Sequence, residues 1–148
     1  MTEAVTDKAV SVERVIAASP DAIFDVLADP RRHAEIDGSG SVRKPREGAP
    51  ERLALGAHFG MEMKLGMPYR VQNEVVEFEE DRRIAWRHMG HHVWRYELEP
   101  VAEGTRVIET FDYAPARAPW ILELMRVPKR NRKAMESTLV RLAAVVES

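Results

Sequence analysis

Hydrophobic and polar positions change period along the chain, and each change predicts a different kind of element. Residues 10–17 are rich in β-branched side chains, which favours a strand. Ser19 and Pro20 follow at the positions of a helix cap and a first-turn proline. That helix carries one apolar stripe and ends at residues 29–30, and a second short helix is expected through His33. The chain therefore begins with a strand and two short helices.

The period becomes two from residue 41 to residue 113, and six antiparallel strands are the economical interpretation. After Pro115 helical spacing returns and predicts a long terminal helix, with a break or kink at Pro128. That helix is the one element long enough to cover the apolar face of the sheet. Its apolar positions are Trp120, Ile121, Leu124, Met125, Met135, Thr138, Leu139, Leu142, Val145 and Val146.

One hairpin of this sheet has two possible registers, and its side-chain pairs distinguish them. A two-residue loop would set Trp86 opposite Val93 and would mix apolar with charged residues on both faces. A three-residue loop sets Trp86 opposite Trp94 and Arg83 opposite Glu97. The second register is adopted, because it separates an aromatic face from a charged one. The covered face then carries Ile84, Trp86, His88, His92, Trp94, Tyr96 and Leu98.

The same alternation extends the inner face to the neighbouring strands. It predicts Phe59, Met61, Met63 and Leu65 inward from an earlier strand, and Val107, Glu109, Phe111 and Tyr113 inward from the last strand. The polar candidates for chemistry on this face are Asn73, His88, His92, Tyr96 and Glu109.

Glu109 is the polar candidate whose inward position most strongly indicates a function. A carboxylate in an apolar interior has to be paired, protonated with a raised pKa, or bound to a ligand, because an isolated buried charge costs several kcal/mol. Tyr96 and Glu109 are therefore the candidate catalytic residues, although a buried Tyr or Asn is more often satisfied by backbone or water. His88, His91 and His92 straddle a turn, have no acidic residue nearby and alternate in direction, so no metal and no cofactor are predicted.

Composition narrows the class of protein. The chain has 148 residues, no cysteine, and 24 acidic against 22 basic residues, so nucleic acid is not an expected partner. No stretch is long and apolar enough to span a membrane and the start lacks an export signal, so a cytoplasmic location is expected. One segment departs from this balance of charges, because it has five cations in eight residues: Arg126, Lys129, Arg130, Arg132 and Lys133. A solvated helix face is the first interpretation of it, and contact with an anion or membrane surface is the second.

Three segments resemble a known superfamily: VIAASPDAIFDVLADP, VVEFEEDRRIAWRH and WRYELEPVAEGTRVIETFDY. Over residues 9–146 the chain is similar to the START-like (SRPBCC) superfamily, and most closely to its bacterial polyketide cyclase/dehydrase and lipid transport proteins. The resemblance implies an α+β helix-grip fold of the Bet v 1 type. In that fold a curved seven-stranded antiparallel sheet wraps around a long C-terminal helix, with two short helices after the first strand. Residues 1–8 are expected to be disordered and residues 9–148 to form one domain.

The resemblance also implies an internal hydrophobic cavity between sheet and helix. Binding or transport of a small hydrophobic ligand, such as a lipid, polyketide or aromatic compound, is the leading hypothesis. A polyketide cyclase or dehydratase acting in the same cavity is the second hypothesis, and a protein or membrane-surface interaction module the third. Monomer and homodimer both remain open. The expected lining residues are Phe59, Met61, Met63, Asn73, Trp86, His88, His92, Trp94, Tyr96, Glu109, Phe111, Trp120, Met135 and Leu139.

Overall fold

The computed structural model describes residues 8–38, 42–45, 50–65, 67–88, 91–116 and 118–147, with backbone alone for 42–45 and 62–71. The strands are β1 (Ala9–Ile16), β2 (Val42–Pro45), β3 (His58–Leu65), β4 (Met67–Glu79), β5 (Arg83–Arg87), β6 (Val93–Val101) and β7 (Gly104–Asp112). The helices are α1 (Pro20–Leu27), α2 (His33–Ile36), α3 (Pro119–Leu124) and α4 (Val127–Glu147), with a 3-10 turn at Pro30–Arg32. The predicted α+β class, with a curved antiparallel sheet and a C-terminal helix, is confirmed.

The strands are hydrogen-bonded in the order β1-β7-β6-β5-β4-β3-β2. Neighbours in sequence therefore pair throughout, except that β1 pairs with the last strand, β7. A register shift between Val75 and Glu77 marks a bulge in β4, and a bulge bends a strand. The long helix α4 packs against β1, β7, α1, α2 and α3, so it covers the apolar face of the sheet.

The adopted hairpin register is confirmed in the β5–β6 pair. Trp86 pairs with Trp94, and Arg83 pairs with Glu97. On the outer face the Arg83 guanidinium lies 3.2 Å from the Glu97 carboxylate, and Arg95 lies 2.7 Å from Glu77 of β4. Apolar and charged residues are thus separated onto opposite faces. The alternative register would mix them on both faces, and for this reason it is less stable.

The predicted break near Pro128 lies slightly earlier in the chain. Helix α3 ends at Leu124, Arg126 has a positive φ of 59°, and α4 begins at Val127. Pro128 therefore falls in the first turn of α4, where a missing amide hydrogen leaves no helical bond unmade. The buried residues of α4 are Met135, Thr138, Leu139, Leu142 and Ala143.

The chain lies close to α4 at Gly38, just after α2. Its amide donates a 2.8 Å hydrogen bond to the Thr138 hydroxyl, and Thr138 in turn donates to the Ala134 carbonyl. A Cβ atom at Gly38 would lie 2.3 Å from that same Ala134 oxygen. Glycine at this position therefore lets α2 approach the backbone of α4.

Residues 1–7 of the expected disordered start lie outside the described residues, but Lys8 does not fit that expectation. Its ammonium group lies 2.9 Å from the Glu123 carboxylate of α3. Its carbonyl accepts a 2.9 Å hydrogen bond from the Tyr113 amide. Lys8 therefore belongs to the folded domain, because the strand pairing of β1 with β7 continues through it.

Candidate functional site

The inward side chains form three rows across the sheet, because antiparallel pairing places residues of adjacent strands side by side. The acid row consists of Val12, Glu109, Tyr96, Ile84 and Phe78. The aromatic row consists of Val10, Phe111, Trp94, Trp86 and Val75. The histidine row consists of His92, His88, Asn73 and Phe59. The acid and histidine rows are four residues apart along a strand, which is about 13 Å.

The aromatic row is the apolar centre of this face. The rings of Trp94 and Phe111 are 5.0 Å apart, and those of Trp86 and Tyr96 are 5.8 Å apart. Phe59 meets Trp86 edge to face at 5.6 Å. These tilted and edge-to-face contacts are arrangements that aromatic quadrupoles favour, so the row is stabilised by ring packing within it and with Tyr96 and Phe59 of the adjoining rows.

The Tyr96–Glu109 pair is the polar centre of the acid row. The Tyr96 hydroxyl donates a 3.0 Å hydrogen bond to Oε2 of Glu109. Glu109 is 2% exposed and Tyr96 is 6% exposed, so both groups are withdrawn from water. The second oxygen, Oε1 of Glu109, is closed to solvent and has no hydrogen-bond partner among the residues that the structure describes.

Burial raises the pKa of the Glu109 carboxyl from its ordinary value of 4.5 to about 8. The hydrogen bond from Tyr96 lowers this pKa and the negative charge of Asp37 raises it, but both effects are smaller than that of burial. The pKa of Tyr96 is raised well above 10.0 by burial first and by the charge of Glu109 second. At neutral pH both groups are therefore protonated, and Glu109 is a neutral acid.

The histidine row forms the opposite polar end of the same face. The rings of His88 and His92 stack at 4.7 Å. Burial, followed by the neighbouring His92, lowers the pKa of His88 to about 3, so its ring is neutral at physiological pH. The His88 Nε2 atom and the Asn73 Oδ1 atom are buried, and neither has a hydrogen-bond partner within the described ranges. The site thus has unpaired polar atoms at both ends and aromatic rings between them.

Sequence reasoning missed His33, which joins the site from α2. Its ring stacks on Trp86 at 5.1 Å and contacts Phe59 at 5.8 Å. Its Nε2 atom lies 2.9 Å from the Leu27 carbonyl. Burial lowers the pKa of His33. A single helical turn has too few residues to show a period, so no sequence signal identified this contact.

The structure brings most of the predicted lining residues to the inner face. Buried there are Phe59, Met61, Asn73, Trp86, Tyr96, Glu109 and Phe111, and partly buried are His88, His92 and Trp94. Met135 and Leu139 are buried on α4. Met63 lies outside the residues whose side chains are described.

Trp120 does not join this inner face, and its predicted position as a lining residue was wrong. It lies on α3 and is 63% exposed. The helical spacing of its apolar neighbours predicts a stripe, but it does not determine whether another element covers that stripe.

The described ranges contain neither a metal-ligand cluster nor a membrane-spanning helix. No three His, Asp or Glu side chains within them group so that they could hold a metal ion. No helix within them is long and apolar enough to cross a membrane.

Comparison with known proteins identifies similar sequences and similar folds. Residues 8–147 match the model of the family described as polyketide cyclase / dehydrase and lipid transport. An uncharacterized protein of Mycobacterium tuberculosis, Rv0088, is 39% identical over 134 residues, covering 86% of this chain and 59% of its own. The chain thus spans about three fifths of the length of that relative.

Solved structures share the fold at low sequence identity. The crystal structure of protein NE0264 from Nitrosomonas europaea has a TM-score of 0.74 at 13% identity, covering 97% of both chains. The solution structure of the Polyketide_cyc-like protein Cgl2372 from Corynebacterium glutamicum has a TM-score of 0.64 at 22% identity, covering 94% of this chain and 91% of that one. At these identities the likeness concerns the fold alone.

Proposed function

We propose, since the chain belongs to the polyketide cyclase/dehydrase and lipid transport family, that it binds one small hydrophobic molecule between the aromatic row and α4. The family's fold suits a hydrophobic ligand. The aromatic row offers rings for apolar contact, and Met61 of β3 and Met135 of α4 are both buried. Methionine side chains are unbranched and adapt their shape, so these side chains can repack around a ligand.

The unpaired oxygen of Glu109 is the observation that carries the proposal. Leaving a buried polar atom without a partner costs about 1–3 kcal/mol, so a ligand that satisfies this atom gains affinity. Because Oε2 accepts the Tyr96 hydrogen bond and the carboxyl is protonated at neutral pH, the proton is assigned to Oε1. The fitting ligand group is therefore a hydrogen-bond acceptor, such as the carbonyl oxygen of a polyketide or an aromatic ketone.

The route to this oxygen begins at the histidine row. Trp94, His88 and His92 are partly buried, whereas Glu109 is enclosed. The Oε1 atom is closed to solvent, so a ligand reaches it only after neighbouring side chains move. Trp94 is the ring of the aromatic row that is partly rather than fully buried, so it is the residue whose loss should weaken binding most directly.

Native mass spectrometry of the protein purified from its own host tests this proposal. We expect a stoichiometric apolar adduct on the wild-type chain, and its loss in Trp94→Ala without unfolding. Trp120→Ala is the matched control, because it removes an indole that is 63% exposed. Solvent extraction then identifies the chemical class of the adduct. An empty wild-type protein that also shows no thermal shift with lipids, sterols or polyketides would contradict the proposal.

Catalysis is the second candidate function, and the raised pKa of Glu109 favours it. A neutral acid with a pKa of about 8 can donate its proton at neutral pH to a carbonyl oxygen or to a hydroxyl that leaves as water. Such donation belongs to polyketide cyclisation and dehydration. The test is turnover of a poly-β-ketone substrate by Glu109→Gln, with Glu103→Gln as an exposed control. We expect kcat to fall in the first variant only, and unchanged turnover excludes this role.

A further inference from the structure

The exposed face of α3 is a feature that the ligand site does not use. Trp120 is 63% exposed, Leu124 is 76% exposed and Met125 is 61% exposed, with Ile121 beside them at 40%. These four residues are called the apolar patch below. Burying a side chain of this size contributes about 1.5–3 kcal/mol, so leaving four of them in water within six residues is costly. A cluster of this kind marks a surface that meets an apolar phase or partner.

A basic face begins where the apolar patch ends. Lys129, Arg130 and Lys133 have the spacing i, i+1 and i+4, which places them on one side of α4, and Arg126 immediately precedes that helix. All four are exposed, and the buried side of α4 at Met135 points the other way. No ion pair involves these four cations within the described part of the chain.

The nearest acid of α3 does not neutralise the basic face. Glu123 is engaged by the Lys8 ammonium at 2.9 Å and accepts a 3.0 Å hydrogen bond from the Tyr113 hydroxyl. The whole chain has a net charge of −2, so the basic face is a local reversal of the protein's overall charge. An anionic surface would attract this face while repelling the rest of the molecule, and would thereby orient the protein.

We propose that the apolar patch and the basic face together dock the protein onto an anionic membrane surface. Exposed Trp and Leu side chains insert at the boundary between headgroups and acyl chains, and adjacent Lys and Arg side chains contact the headgroup phosphates. An acidic protein could match the charges, but it would not explain the adjoining apolar side chains as directly. A lipid interface supplies both components in the observed order.

Co-sedimentation with phosphatidylcholine vesicles, with and without phosphatidylglycerol, tests this docking. We expect binding to the anionic vesicles alone and weakening with added salt, because screening reduces attraction between exposed charges. Lys129→Glu with Arg130→Glu should reduce the partition coefficient by about 30-fold, because losing each basic residue weakens binding roughly five- to sixfold and the two losses multiply. Leu124→Ser should also reduce it, because insertion needs the apolar patch.

Matched controls separate docking from general loss of charge or apolar surface. Arg14→Glu with Arg82→Glu makes the same charge change at exposed sites elsewhere, and Leu55→Ser removes a leucine that is 67% exposed. Both control proteins should bind like the wild type. Equal partition of the wild type onto neutral and anionic vesicles, no binding to either, or unaltered binding by the double reversal at Lys129 and Arg130 would overturn the proposal.

Discussion

The raised pKa of Glu109 makes a quantitative prediction about stability against pH. In the folded chain the carboxyl titrates at about 8, whereas its ordinary value is 4.5. The folded state therefore binds a proton more tightly than the unfolded state does. The stabilisation is fully present below pH 4.5 and is lost as the pH rises to about 8.

The magnitude follows from the two pKa values. Between pH 5 and pH 8, proton linkage at this one group should lower the free energy of unfolding by about 3.5 kcal/mol. Typical domains have a total stability of about 5–15 kcal/mol, so this is a large fraction of the whole. Glutamine has nearly the shape of a protonated glutamic acid and does not titrate, so Glu109→Gln should remove the effect.

Urea unfolding of wild type and Glu109→Gln at pH 5, 6, 7 and 8 is the appropriate assay. Burial lowers the pKa of His33, His88 and His92, which gives stability the opposite slope as their unfolded forms titrate. These contributions are common to both proteins and cancel in the difference between them. The advantage of the wild type over the variant should therefore decrease by about 3.5 kcal/mol from pH 5 to pH 8.

Glu103→Gln is the control for this assay, because it removes an exposed carboxyl near β7. Its stability should run parallel to that of the wild type at every pH. A difference between wild type and Glu109→Gln that stays constant across this range would refute the reasoning. It would mean that the Glu109 carboxyl is already ionised in the folded protein at pH 5, or that its surroundings hydrate it.

Two further changes test other contacts. Tyr96→Phe removes a hydrogen bond that lowers the pKa of Glu109, so the carboxyl carbon should titrate above its wild-type midpoint of about 8 by NMR; a lower midpoint would contradict the assigned donor. Gly104→Ala should lower the free energy of unfolding by at least about 2 kcal/mol in urea titrations, because φ is +141° and the new Cβ would lie 2.2 Å from the Ile16 carbonyl. Gly56→Ala, with φ of +81° and no atom within 4 Å, should cost less, and equal losses would show that the contact contributes nothing.

The alternation of side chains determined which residues of the central hairpin face inward. The pairing of Trp86 with Trp94 and of Arg83 with Glu97 could be predicted from the sequence, because a shift of one residue would exchange the two faces. The inward position of Glu109 followed from the same period, although the alternation in β7 was less distinct. These features are local, and period and cross-strand chemistry are enough to specify them.

Contacts between elements distant in sequence were decided only by the tertiary structure. His33 stacks on Trp86 from a single-turn helix, which has no readable period. The raised pKa of Glu109 likewise depends on burial in the folded chain and, to a smaller extent, on the negative charge of Asp37. The sequence identified the carboxyl as a candidate, but its protonation depends on its three-dimensional surroundings.

The apolar stripe of α3 shows most clearly which properties the sequence determines and which only the tertiary structure determines. Helical spacing indicated that Trp120 and Leu124 lie on the same helix, because that property depends on neighbours three and four residues away, but it assigned them to the long terminal helix and not to a separate α3. Whether the stripe is covered depends on the direction in which α3 leaves the sheet and on the break at Arg126 before α4. The sequence pattern of such a stripe is the same whether the helix packs in a core or faces solvent. Only the tertiary structure could therefore show that this stripe is exposed.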